Sequence, residues 1–138
     1  MNHDKKTGTL KFFGRVLMSV IFLTSGWSKL AAFAGTVALV GTVFPFPEVL
    51  TVIAIILEFG GALLLLLGYR TRVAAYTLIV FTIIATLGFH LNLADQLQAV
   101  QFMKNLAILG GLLYVVAAGA GSYSLDGKKI AQMGGEPA

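Results

Sequence analysis

Residues 49–68 read VLTVIAIILEFGGALLLLLG, a run with a single charged side chain, Glu58. Crossing the roughly 30 Å hydrocarbon core of a bilayer takes about 20 helical residues, so this run is long enough to span a membrane. Further apolar runs of similar length lie at residues 12–30, 73–94 and 105–125. The sequence therefore predicts an all-α fold, a bundle of four transmembrane helices.

The composition of the whole chain supports a membrane protein. Of its 138 residues, 57% are hydrophobic and only 12% are charged, and the mean hydropathy is +0.87. Soluble domains carry about 45–50% apolar and about 25% charged residues, so a water-soluble globule of this chain would expose much apolar surface. This excludes an ordinary soluble domain, a disordered chain and a nucleic-acid-binding protein. We divide the chain into a basic tail at 1–11, a membrane domain at 12–125 and a polar tail at 126–138.

The chain has no cysteine and two histidines, His3 in the tail and His90. It therefore has no thiolate nucleophile, disulfide, cysteine-ligated cluster or covalently attached haem of its own. A lone intramembrane histidine is a poor metal ligand, so we expect no metal site. If the protein takes part in redox chemistry, the electrons reside on a non-covalently bound small molecule or on a partner.

The segment 31–48 is apolar but rich in helix breakers. Phe33, Val37, Val40 and Phe44 are spaced to form one apolar helical stripe. The Pro-Phe-Pro run at 45–47 then ends any helix. This pattern favours a short amphipathic helix at the membrane interface, between the first and second spans, over a fifth span.

Basic residues indicate the orientation of the spans. With four spans, one side of the membrane carries the basic residues Lys5, Lys6, Lys11, Arg15, Arg70, Arg72, Lys128 and Lys129. The other side carries only Lys29 and Lys104. Because cytoplasmic segments are enriched in lysine and arginine, we expect both termini in the cytoplasm. The net charge of +4 reflects this topology rather than a nucleic-acid partner.

Glu58 is the most informative residue of the chain, because it falls near the middle of the second span. An ionisable group there costs roughly 2.5–3.5 kcal/mol or more. It is either a structural carboxylate, protonated or paired, or part of a proton or ligand site. Intramembrane ionisable residues favour the functional interpretation.

The depth of other polar residues suggests partners for Glu58. Lys29, His90 and Lys104 each lie about eight residues, or roughly 12 Å, from the midplane toward the outer face. Side chains lean toward the N-terminus of their own helix, so Lys29 and His90 lean toward Glu58. Asn105 on the fourth span is a further candidate donor.

Structural alternatives stay open for several of these residues. Arg15 and Lys104 lean toward their nearest interfaces, so each could simply extend to the headgroups. His90 could cap carbonyls at a helix end. Residues 92–101 are predicted to form a solvated outer loop, in which Asp95 could pair with Lys104 at little energetic consequence.

Paired glycines predict close helix packing. Gly60 and Gly61 lie in the second span, and Gly110 and Gly111 lie in the fourth. Small residues let helix backbones approach within a membrane. We interpret these pairs as packing positions rather than as parts of a binding site.

Motifs along the chain resemble those of the DoxX family of small bacterial membrane proteins. They are GRVL at 14–17, SGWSKL at 25–30, EFGG at 58–61, GYRTR at 68–72 and GAGSYSLD at 119–126. In the last motif, Ala120 stands where the family has proline and Ser122 where it has a basic residue. The resemblance covers about residues 12–126 and rests on the order of the motifs, since each alone is weak.

The resemblance implies a multi-pass protein of the bacterial inner membrane that is associated with oxidoreductase or oxidative-stress systems. It carries over Arg15, Lys29 and Glu58 as functional positions. Together with the residues derived from depth, the expected ligand-binding set is Arg15, Lys29, Glu58, His90, Lys104 and Asn105. No catalytic residue is assigned.

The leading functional hypothesis is a subunit that binds a quinone or similar small apolar ligand between its helices, with electrons supplied by a soluble or membrane redox protein. The alternative is a non-enzymatic membrane scaffold for a soluble redox partner. A transporter is less favoured, since the sequence shows no inverted repeat or broken helix. Homo-oligomerisation stays open.

Overall fold

The computed structural model describes residues 2–136, and this part of the chain is all-helical. The helices are α1 (His3–Ala31), α2 (Phe33–Gly41), α3 (Pro47–Leu67), α4 (Thr71–Phe89), α5 (Gln96–Ala118) and α6 (Leu125–Gln132). Within the described residues, α1, α3, α4 and α5 are long and apolar enough to cross a membrane. The predicted four-span bundle, with a short helix between the first two spans, is confirmed.

The spans α1 and α5 begin earlier than the sequence prediction placed them. α1 begins at His3, because the Asn2 side chain accepts a hydrogen bond from the Lys5 N–H at 3.0 Å and caps the helix. The basic tail is therefore largely the first turns of α1. α5 begins at Gln96, where Asp95 Oδ1 accepts from the Leu97 N–H at 2.9 Å. Asp95 thus acts as a helix cap, and the predicted loop at 92–101 was too long.

α3 has well-defined ends. It begins with Pro47, whose fixed φ suits a first helical position. It ends at Leu67, and its C-cap residue Gly68 adopts the left-handed conformation (φ 67°) that favours glycine. The Tyr69 N–H then donates to the Leu64 carbonyl at 2.9 Å. These ends place Glu58 near the middle of the helix, as predicted.

The spans pack in the order α1, α3, α4, α5, with a sparser contact between α1 and α5. Their shared core consists of the buried side chains Phe22, Ala62, Leu65, Ala75, Leu78, Ile108 and Leu112. The outward faces carry large exposed apolar side chains such as Leu17, Ile56 and Val80. An apolar surface all around the bundle suits a lipid environment.

One glycine of each pair lies at a close helix contact. A Cβ on Gly61 would lie 2.9 Å from Leu78 Cδ2, and one on Gly111 would overlap the Met18 methyl group. Gly60 and Gly110 have nothing comparable within 4 Å. The predicted packing role is therefore confirmed for Gly61 and Gly111 and is wrong for the other two.

The predicted polar tail at 126–138 contains a helix, α6, that docks onto the start of α4. The Asp126 carboxylate accepts from the backbone N–H groups of Arg70 and Thr71, each at 2.9 Å, and from the Thr71 hydroxyl at 2.8 Å. The N-cap residue of α4, Arg70, supplies no side-chain acceptor of its own. Asp126 therefore caps α4 from a distant part of the chain.

This capping lowers the pKa of Asp126. Burial by itself would raise that pKa, but the hydrogen bonds from Thr71 and Arg70, together with the charge of Arg15, outweigh it. The ionised carboxylate is thus the form that stabilises the junction of α4 and α6.

Candidate functional site

An ion pair joins α1 to α3 in the interior of the bundle. Lys29 Nζ lies 2.8 Å from Glu58 Oε2, and the Glu58 side chain is only 3% exposed. Lys29 Nζ also donates to Ser25 Oγ at 2.8 Å, one turn earlier on α1. The pairing of Lys29 with Glu58 that helix depth predicted is confirmed, whereas His90, the other predicted partner, makes no hydrogen bond or ion pair with Glu58 in residues 2–136. The part of the ion pair in ligand binding stays a prediction.

Glu58 and Lys29 line a cavity of about 250 Å³ between the four spans. We call this cavity the polar chamber. Its remaining lining residues are Ile21, Phe22, Ser25, Phe81, Thr82, Ala85, His90, Gln101, Lys104, Asn105 and Ile108. The chamber thus brings together five of the six residues expected to bind a ligand: Lys29, Glu58, His90, Lys104 and Asn105.

Hydroxyl and amide groups connect α4 to α5 at the chamber. Asn105 Nδ2 donates to Thr86 Oγ1 at 2.8 Å, and the Thr86 hydroxyl donates to the Thr82 carbonyl at 2.6 Å. Asn105 is therefore held by Thr86, not by Glu58. The candidate donor role that depth suggested for Asn105 at Glu58 is not what the structure shows.

Apart from Glu58 Oε2, which lies 2.8 Å from the Lys29 ammonium, two polar atoms at the chamber are buried without a hydrogen-bond partner in the described part of the chain. They are the hydroxyl of Thr82, a residue 3% exposed, and Nδ1 of His90. The backbone N–H of His90, the C-cap residue of α4, donates to the Thr86 carbonyl at 3.0 Å, whereas the His90 side chain caps no carbonyl in residues 2–136. Because buried polar groups are almost always paired in native proteins, an unpaired one calls for an explanation. These two atoms are available to form hydrogen bonds with a molecule in the chamber.

A larger apolar cavity adjoins the polar chamber. It has a volume of about 680 Å³ and lies between α2, α3 and α4. We call it the apolar groove. It opens on the outward face of the bundle, where its walls include the exposed Ile53 and Val80, and its deeper walls include Val40, Phe44 and Leu57. Four residues line both cavities: Lys29, Phe81, Ala85 and His90. Lys29 thus lies where a polar space meets an apolar one, and its partner Glu58 lines the polar chamber.

Arg15, the sixth predicted residue, lies apart from the polar chamber. Its side chain is buried and donates to the carbonyls of Leu65 at 2.9 Å, Leu66 at 2.8 Å, Ala120 at 3.1 Å and Tyr123 at 2.5 Å. We call this arrangement the Arg15 clasp. The expectation that Arg15 could extend to the headgroups is wrong, because a guanidinium with several fixed donors is better satisfied by carbonyls at the end of α3 and after α5.

Lys104 lines the chamber with an exposed side chain and has no ion pair with Asp95 among residues 2–136. Within the same residues, no group of three or more histidine, cysteine, aspartate or glutamate side chains could hold a metal ion.

Sequence reasoning missed the hydroxyl groups of Ser25, Thr82 and Thr86, because an uncharged hydroxyl in a span satisfies its own helix as often as it binds anything. Thr82 and Thr86 are spaced i, i+4 and so share a helix face. That spacing was the available signal. The apolar groove had no signal in the sequence, since its walls come from three helices.

These features define a small four-span membrane protein with a buried ion pair beside two adjoining cavities. The sequence model of the DoxX family matches residues 10–91, more than half of the chain. The chain therefore belongs to the DoxX family. It is an integral, multi-pass inner membrane protein of that family.

Curated relatives agree with this assignment. The chain is 39% identical to "Inner membrane protein YqjF" of Escherichia coli (strain K12), over 81% of the chain and 85% of the relative. It is 32% identical to "Inner membrane protein YphA" of the same strain, over 85% and 88%. It is also 31% identical to "ER-derived vesicles protein ERV29" of Saccharomyces cerevisiae, where the match spans only 36% of that protein. No solved structure matches the chain.

The family match places Lys29, Glu58 and His90 within the shared region, which ends after α4. Lys104 and Asn105 lie beyond it, on α5. The ion pair and the histidine thus belong to the family region, and α5 completes the chamber around them.

Proposed function

We propose that the protein binds a quinone or a similar small apolar ligand in the polar chamber and serves a membrane oxidoreductase or oxidative-stress system. The observation that carries the proposal is the position of the Lys29–Glu58 pair, which lines the polar chamber and whose Lys29 also lines the apolar groove. Ligand sites are typically concave, mostly apolar and supplied with a few convergent polar groups. The two cavities together have this character.

The residues of the chamber suit quinone chemistry. Lys29, Asn105 and His90 carry N–H groups that can donate to carbonyl oxygens. Reduction of a quinone to a quinol takes up two electrons and two protons. A redox partner supplies the electrons, and Glu58 relays protons as its carboxylate is protonated and deprotonated.

The test begins with purification in mild detergent and mass spectrometry of the co-purifying quinones, lipids and proteins. Glu58→Gln keeps the shape of the side chain but removes its negative charge. We expect this variant to lose quinone-dependent electron transfer or quinone resistance while it remains folded.

Thr51→Val is the matched control on the same helix. Thr51 is buried on α3 and lies outside both cavities, so its loss tests α3 packing without touching the chamber. If Glu58→Gln folds and behaves like Thr51→Val in the functional assay, the proposal fails.

A second candidate is a non-enzymatic scaffold that anchors a soluble redox partner. The direct link that the Lys29–Glu58 pair makes between α1 and α3 favours it, because a buried pair can serve to hold helices in place. In that case Glu58→Gln lowers the melting temperature in detergent and changes no ligand affinity.

We further propose that both termini face the cytoplasm. The support is the clustering of basic residues near the termini and at the turn between α3 and α4, which the positive-inside rule assigns to the cytoplasmic side. A green fluorescent protein fused at the C-terminus should fluoresce, and alkaline phosphatase fused there should stay inactive. The reverse result would overturn this orientation.

A further inference from the structure

Two ammonium groups and one carboxylate line the polar chamber. They belong to Lys29, Lys104 and Glu58. Lys29 is paired with Glu58 at 2.8 Å, whereas Lys104 has no ion pair in residues 2–136. The chamber therefore has one ammonium group in excess of its carboxylate.

The unpartnered hydroxyl of Thr82 is a second feature of the chamber. Thr82 is 3% exposed, and its Oγ1 has no hydrogen-bond partner in the described part of the chain. A hydroxyl can donate one hydrogen bond. Together with the ammonium of Lys104, it offers donors that an anionic oxygen would satisfy.

The apolar groove supplies the other half of the site. Its volume of about 680 Å³ lies in the range of small-molecule pockets, roughly 300–1,000 Å³. Its walls are almost entirely apolar, and it meets the chamber at Lys29, Phe81, Ala85 and His90. A molecule that fills both spaces needs a small polar head and an apolar chain.

We propose that the ligand is a lipophilic weak acid. Its ionised oxygen would lie in the polar chamber within reach of Lys104 and Thr82, and its apolar chain would occupy the groove between α2, α3 and α4. This inference rests on the proposed function and narrows it, because an ionised oxygen can form an ion pair with the Lys104 ammonium as well as a hydrogen bond with Thr82, whereas a neutral quinone can form only hydrogen bonds there. An acidic hydroxyquinone and a fatty acid both have the required chemistry.

The experiment compares three related probes on the full chain in nanodiscs of zwitterionic lipid. They are a hydroxynaphthoquinone with a decyl chain, its neutral methyl ether, and the hydroxynaphthoquinone without the chain. A fatty acid of similar length serves as a fourth probe for the carboxylate form. Calorimetry at neutral pH gives the affinities, with ligand concentrations expressed per lipid so that partitioning does not mimic binding.

The decyl hydroxynaphthoquinone should bind about ten-fold or more tightly than either the ether or the chainless acid. If the ether binds equally well, the inference about charge is overturned while the proposed ligand site stands. If the chainless acid binds equally well, the assignment of the groove is overturned. If no probe binds, the proposed function fails together with this inference.

Variants locate the two halves of the site. Lys104→Gln should abolish the difference in affinity between the decyl hydroxynaphthoquinone and its methyl ether. Lys128→Gln, outside the chamber, should preserve that difference. Val80→Trp should abolish the advantage of the chain by filling the groove. Val73→Trp is the matched control, since Val73 is an exposed residue two turns away on α4 that lies outside the groove. Folded Lys104→Gln or Val80→Trp protein with unchanged preferences would contradict the proposal.

Discussion

The Arg15 clasp and the polar chamber are two buried polar regions of one bundle, and they are built in opposite ways. Arg15 donates to four carbonyls and lines neither the chamber nor the apolar groove. The chamber is a cavity of about 250 Å³, and some of its buried polar atoms have no hydrogen-bond partner in the described part of the chain.

The difference separates a structural cluster from a candidate binding site. A fully satisfied polar network rigidifies a protein, whereas an incompletely satisfied one destabilises it unless something else binds there. Both regions contain a basic residue of α1 within the membrane domain. The cavity and the state of the hydrogen-bond partners tell them apart.

The largest expected effect comes from breaking the clasp. Arg15→Met leaves several carbonyl groups at the end of α3 and after α5 without their donor. Since each buried unsatisfied group costs about 1–3 kcal/mol, we expect a loss of about 3 kcal/mol or more in the free energy of unfolding. Unfolding by titration with sodium dodecyl sulfate measures it.

Arg72→Met is the control for this prediction. Arg72 is exposed and makes one hydrogen bond, from Nε to the Val116 carbonyl at 2.8 Å. Arg72→Met should lower the free energy of unfolding by well under half as much as Arg15→Met. Equal losses for the two variants would mean that the clasp is no more than a surface contact.

A smaller effect is expected from the ion pair of the chamber. Lys29→Met leaves Glu58 buried without a counter-charge and should cost about 1–3 kcal/mol, reduced by the partial exposure of Lys29. The double variant Lys29→Met/Glu58→Met should recover most of that loss, because an apolar pair of similar volume often replaces a buried ion pair without penalty. If the double variant is less stable than Lys29→Met in the same titration, the ion pair stabilises the fold, as the Arg15 clasp does.

The Asp126 cap should give an effect of about 1–2 kcal/mol that depends on pH. The pKa of Asp126 is lowered in the folded protein, so its ionised form stabilises the fold fully above the unfolded pKa of about 3.9. That contribution is lost as the pH falls through the lowered folded pKa. The gap in melting temperature between the wild type and Asp126→Asn should therefore be constant above about pH 5 and shrink below about pH 4. A gap that widens in acid would contradict this.

The smallest effect distinguishes two adjacent glycines. Gly60→Ala should stabilise α3 by about 0.5–1 kcal/mol, because alanine restricts the unfolded chain and nothing crowds its Cβ. Gly61→Ala should not show this gain, since the added Cβ would press on the buried Leu78. A parallel unfolding titration of the two variants measures the difference. An equal gain at both positions would show that α4 yields easily at this contact.

Several residues of the chamber could be predicted because their positions depend on one helix at a time. The depth of Glu58 in a span and the lean of Lys29 toward it follow from helix geometry alone. The pair observed at 2.8 Å confirms that argument. Arg15 was grouped with them because the family resemblance carried it over, although its lean on α1 already pointed toward the opposite interface.

The sequence by itself determined the four spans, the short helix after the first and the pairing of Lys29 with Glu58, since hydrophobic length and helical rise are local quantities. Only the tertiary structure decided which polar groups are satisfied. The carbonyls that bind Arg15, the cap that Asp126 provides for α4 and the walls of the apolar groove all join segments distant in the chain. Such contacts depend on how the helices pack, and no local pattern encodes them.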